Sequence, residues 1–135
     1  MSDTRSKTMT KTDNTPIRAV LKLDCPFSLK FRIFVTEAGI ADQFVFDVFE
    51  EGTRAYDEAK ATLEKCAPEA TFPAVETSPG TYMADSDTLI DHYAKAFSVD
   101  RKALPLLAYY EAGVFKAMTQ MFQENREMKQ KLEAA

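Results

Sequence analysis

The chain has 135 residues, 45% of them hydrophobic and 28% charged, with a formal net charge of −4. That length suits one domain with its own core, and the composition is that of an ordinary globular protein. The acidic balance argues against nucleic acid, whose binding rests on phosphate neutralisation, and no apolar run approaches the ~20 residues of a membrane span. Residues 1–15 are polar and rich in Thr, Ser, Lys and Asp, and they read as a disordered tail. They hold no apolar core of a secretory signal; a transit peptide is the rival reading, against which Asp3 and Asp13 count. Ile17 to Leu23 reads as a strand with Ile17, Ala19, Leu21 and Leu23 on one face. From Phe27 the period becomes helical through Phe31, Phe34, Val35 and Ala38, with Pro26 in the first turn and Gly39 past the end. Phe44 to Phe49 is a second strand, and Ala55 to Cys66 a weakly amphipathic helix through Tyr56, Ala59 and Leu63. Phe72 to Glu76 and Thr81 to Ala84 form a hairpin around Ser78-Pro79-Gly80, followed by a helix over Asp85 to Phe97.

The order β-α-β-α-β-β-α predicts a mixed sheet covered by helices over residues 16–100. Residues 101–135 differ in kind: Leu107, Tyr110, Val114, Met118, Met121, Met128 and Leu132 recur at spacings of three, four or seven. That is one apolar stripe on a helix of about seven turns, longer than the domain it follows. Charge is uneven as well. Residues 16–100 hold eight bases and fifteen acids, whereas residues 101–135 hold six bases and four acids.

Cys25 falls between a predicted strand and a predicted helix. Amides at a helix start carry partial positive charge and favour thiolate, the nucleophilic form. A buried structural thiol is the plainer reading; the junction, the Pro that follows, and the nearby Lys30 and Arg32 favour a reactive one. Cys66 has no His or second Cys near it and reads as a packing residue. Two cysteines and the lone His92 make neither a metal ligand set nor a disulfide framework, so a reducing cytoplasm is the expected setting. Phe72-Pro73 opens a strand with a proline, and either peptide isomer is open there, trans being the commoner. Asp85 and Ser86 stand where a strand turns into a helix; they read as a cap or as part of an anion-binding helix start.

Together these residues resemble the N-terminal, thioredoxin-like domain of glutathione S-transferases and their glutaredoxin relatives. Cys25-Pro26-Phe27-Ser28 looks like the family's active-site turn, with Ser28 where dithiol relatives keep a second Cys. Phe72-Pro73-Ala74-Val75 looks like the segment with the family's cis-proline, and Tyr82 to Tyr93 like the strand–turn–helix of its acidic-Ser pair. The resemblance implies a thiol at Cys25 that attacks a mixed disulfide or contacts the glutathione sulfur. It implies a glutathione site with Phe27, Ser28, Phe72, Pro73, Asp85 and Ser86, and no metal. The acidic-Ser register stays open between Asp85-Ser86 and Ser86-Asp87, and the chain has Asp85 where the family usually has Glu or Gln. A full transferase adds a helical domain of about 100 residues or more, whereas about 35 follow the α/β part here. The expected function is a glutathione-linked thiol–disulfide oxidoreductase or transferase-like protein acting through one cysteine. Its partner would be glutathione or a glutathionylated thiol. The alternative is a non-catalytic binding or assembly module whose long C-terminal helix forms a homodimer.

Overall fold

The computed structural model describes residues 15–68 and 71–134. The reading of a tail falls almost wholly on residues outside that set. Strand β1 (Ile17–Lys22) leads through Asp24 and Cys25 into helix α1 (Pro26–Glu37). A 3-10 turn at Ala41–Gln43 feeds β2 (Phe44–Phe49), which is followed by α2 (Arg54–Cys66). The hairpin of β3 (Ala74–Ser78) and β4 (Thr81–Ala84) leads into α3 (Ser86–Ala96).

One sheet has the order β2-β1-β3-β4, with β1 parallel to β2 and antiparallel to β3, and β3 antiparallel to β4. Helix α1 packs against α3, and α2 packs against β2 and β4. Because β1 is an inner strand with both faces covered, Ala19, Val20 and Leu21 are all buried, not only the alternate residues. Leu23 lies beyond the strand and is exposed, contrary to its expected inward position. The core joins Ala19, Leu21, Phe31, Phe34, Val35, Phe44, Val75, Leu89, Ile90 and Tyr93. Phe31 meets Phe44 edge-on at 5.6 Å, and Phe44 meets Tyr93 at 5.1 Å. Gly39 adopts φ +77° just past the end of α1, the left-handed conformation that favours glycine there.

Two expectations change. The third strand starts at Ala74, not Phe72, because Phe72-Pro73 is a bend rather than part of the ladder. Cys66 is exposed at the end of α2 and does not pack.

The C-terminal stripe is the larger correction. The backbone stays helical from α4 (Pro105–Tyr110) through a π turn at Glu111–Phe115 into α5 (Lys116–Ala134). Leu107 and Tyr110 are buried on the domain, as the spacing predicts. The π turn holds about one residue more than an α turn, so it rotates the distal part of the helix by about 100°. Val114, predicted to continue the inward stripe, is therefore 56% exposed, and Phe115 turns inward in its place. From Gln120 to Ala134 every side chain is exposed. No helix among the described residues is long and apolar enough to cross a membrane.

Candidate functional site

Strand register brings the predicted residues to one end of the sheet. Val20 of β1 stands opposite Ala74 of β3, and Ala74 stands opposite Ala84 of β4. The end of β1, the start of β3 and the end of β4 therefore lie side by side. Cys25, Pro73 and Asp85 each follow or precede those ends by only a few residues.

Cys25 is the N-cap of α1, with extended backbone and no capping bond from its side chain. Pro26 fills the first helical position, where no N–H is required, and the Cys25 carbonyl accepts from the Leu29 N–H at 3.0 Å. Asp24, at φ 64°, turns the chain sharply out of β1. The half-buried Cys25 thiol points at the Phe72 carbonyl oxygen, 4.0 Å from Sγ. The Phe72-Pro73 bond is cis, as the family resemblance implied, and Pro73 is fully buried. Phe72 itself packs on Tyr56 of α2, ring centres 5.4 Å apart.

A cleft of about 520 Å³ opens beside Cys25. Leu23, Leu29, Val48 and Met118 give it apolar walls, and Lys22 and Arg32 bring two cations to it. Burial pulls the Lys22 ammonium down, but its hydrogen bond to Glu51, the Glu51 charge and the nearby Tyr56 and Cys25 carry the net shift upward. The Tyr110 phenol is pushed up by burial and then by Cys25. Its hydroxyl donates to the Pro26 carbonyl at 2.8 Å, so the C-terminal helix is tied to the residue after the thiol.

The remaining predicted residues divide. Ser28 is buried in the cleft wall, and its Oγ accepts from the Lys22 N–H at 3.1 Å. Phe27 turns to the C-terminal helix and meets Phe115 edge-on at 5.3 Å. Asp85 caps α3, with its carboxylate accepting from the Thr88 N–H at 3.0 Å and the Thr88 hydroxyl at 2.8 Å. Its φ of 80° is a strained position for a non-glycine residue. Ser86 is buried in the first turn of α3.

Several partnerships that shape the site have no signal in the sequence. Lys30, expected to add positive charge near the thiol, is engaged elsewhere. Its side chain is only 4% exposed, and its ammonium donates to Asp87 at 2.6 Å and lies 3.4 Å from Glu111. It also sits 4.5 Å above the Phe115 ring. Arg101 binds the same Asp87 and Glu111, and Asp91 as well. Glu37, the last residue of α1, accepts from the Leu106 and Leu107 N–H groups at 2.8 Å each and so caps α4. Lys30 and Glu37 are on α1, while their partners lie 57 to 81 residues on, so no local pattern joins them. Helical periodicity marked only their exposed or neutral neighbours.

This sheet, with a buried cis-proline against a cysteine at a helix start, defines the thioredoxin-like class of α/β proteins. The chain belongs to the glutathione S-transferase family: the model of the family's N-terminal domain matches residues 24–96, more than half its length. Among solved structures, glutathione transferase Omega 3C from Trametes versicolor is similar, at 21% identity and a TM-score of 0.47. The match covers 62% of this chain and 34% of that one, so the chain spans about a third of that relative's length. No curated protein matches it.

Proposed function

We propose that the chain is a glutathione-linked thiol–disulfide oxidoreductase in which Cys25 is the nucleophile. The observation that carries the reading is the Cys25 thiol at the start of α1, facing the main chain of Phe72 just before the cis-proline. Cys25 as thiolate attacks the glutathione sulfur of a mixed disulfide. A Cys25–glutathione disulfide forms, and the partner leaves as a thiolate that takes a proton from water. A second glutathione thiolate then attacks that disulfide, giving oxidised glutathione and restoring Cys25. Ser28 cannot act as an internal resolving group, because it has no thiol and its oxygen is engaged by Lys22.

In this reading the cysteinyl part of glutathione pairs with the Phe72 main chain, beside Pro73. The γ-glutamyl end lies at Asp85 and Ser86, where the amides at the start of α3 suit a carboxylate. Phe27 and Ser28, in the turn that follows the thiol, complete that site. The apolar cleft favours a second reading, transfer of glutathione to an apolar electrophile held between Leu29, Val48 and Met118.

One pair of assays separates them. Wild type is expected to reduce a small glutathione mixed disulfide and to form a Cys25 adduct seen by intact mass, and Cys25→Ser to do neither. Reduction that survives in Cys25→Ser rejects the proposal. Conjugation of a chlorinated aromatic without disulfide reduction would favour the second reading.

A further inference from the structure

From the π turn onward, the outward face of the C-terminal helix has a more specific pattern than a general apolar stripe. Val114, Met118, Met121, Asn125, Met128 and Leu132 succeed one another at alternating steps of four and three. That is a heptad seam, with Met118, Asn125 and Leu132 at a and Val114, Met121 and Met128 at d. Met121, Met128 and Leu132 are 64%, 62% and 74% exposed, and none packs on the domain. Apolar residues in such a row have no reason to stay in water if a matching surface exists.

The polar residues of the seam say what that surface is. Asn125 is the one polar a residue, and such an Asn pairs with its own copy across a parallel dimer, fixing two strands in register. Glu124 occupies the g position before it and Lys129 the following e position. In a parallel, in-register pair, each g residue faces the e residue five places on in the other strand. Glu124 of one copy would therefore face Lys129 of the other, opposite charges on both sides of the seam. Neither has an ion-pair partner among the described residues.

We propose that residues 114–134 pair with the same segment of a second copy of this chain as a parallel, two-stranded coiled coil. The π turn makes this feasible, since it directs Phe115 to the domain and Val114 away from it. Met118 belongs to both regions: it is the first a residue of the seam, and it lines the cleft beside Cys25. Pairing therefore brings the partner's helix to the edge of that cleft.

The test is sedimentation equilibrium on the full chain at about 50 μM, where a dimer with a Kd of about 10 μM or below is mostly associated. Wild type is expected to be a dimer, and Met121→Glu with Met128→Glu a monomer with unchanged circular dichroism of the α/β domain. Glu124→Lys and Lys129→Glu each place like charges across the seam and should weaken the dimer roughly tenfold. Mixing these two variants restores opposite charges in a heterodimer, so the 1:1 mixture should regain wild-type association. A monomeric wild type overturns the proposal. So does a Met121→Glu, Met128→Glu variant that stays dimeric, or a mixture that associates no better than its components, which would exclude the parallel register.

Discussion

Cys25 and Cys66 pose the sharpest contrast between single residues. Cys66 is the more open thiol, yet Cys25 has the helix start before it and Lys22 near it. If electrostatics governs reactivity rather than access, limiting iodoacetamide should label Cys25 first, as read by peptide mass. Faster labelling of Cys66 would remove the reason to place chemistry at Cys25. Asp87 gives a pH-dependent counterpart. Its carboxyl is held below its ordinary 3.8, first by the Lys30 hydrogen bond and then by Arg101, with burial opposing. As pH falls, the unfolded chain then takes up its proton before the folded one does. The stabilisation is complete above about pH 5 and is lost as pH falls through the folded value. Asp87→Asn should lower the urea midpoint at neutral pH, and the gap from wild type should shrink as pH falls below the ordinary 3.8 and close once it is below the folded value. Cys25 and Asp85 were legible because a strand–helix junction is a local signal. Lys30 was not, because the same amphipathic helix would accommodate an exposed lysine at that spacing.

At the scale of elements, the interest lies in how α1 holds α4. Leu107 is fully buried, Tyr110 bonds to the Pro26 carbonyl, and Glu37 caps the first turn. Leu107→Ala should cost about 2–5 kcal/mol, the range for deleting a buried leucine side chain. Tyr110→Phe, which removes one buried hydrogen bond, should cost about 1 kcal/mol. Thermal or urea unfolding measures both, and a Leu107 variant as stable as wild type would mean that α4 is not docked in solution. The helix itself was evident from its period, and so were all four strands. The π turn was not, because Glu111 to Phe115 fits an α-helical pattern equally well. The turn belongs with tertiary contacts: Glu111 reaching Arg101 and Lys30, and Phe115 lying against Phe27, Tyr110 and Lys30.

For the whole molecule, the salt network joins two helices and two turns. Lys30 on α1, Asp87 and Asp91 on α3, Arg101 in a second 3-10 turn at Arg101–Ala103 and Glu111 in the π turn share their charges. Breaking it at Arg101→Met leaves the buried Lys30 with two carboxylates and frees the segment leading into α4. Hydrogen exchange should then rise in residues 101–115 before it rises in β1 or β3, and uniform protection would show that the network carries no such hinge. A helix that turned by one residue fewer would have to present a single stripe to two masters, its own domain and the solvent beyond. Angular offset at residues 111–115 separates those demands along one rod. Mutations at Leu107 and Met128 should thus add, within about 0.5 kcal/mol, in their effect on unfolding. A lineage of such chains is free to rewrite the distal half of the helix, and with it the company the chain keeps, while the machinery around Cys25 stays as it is.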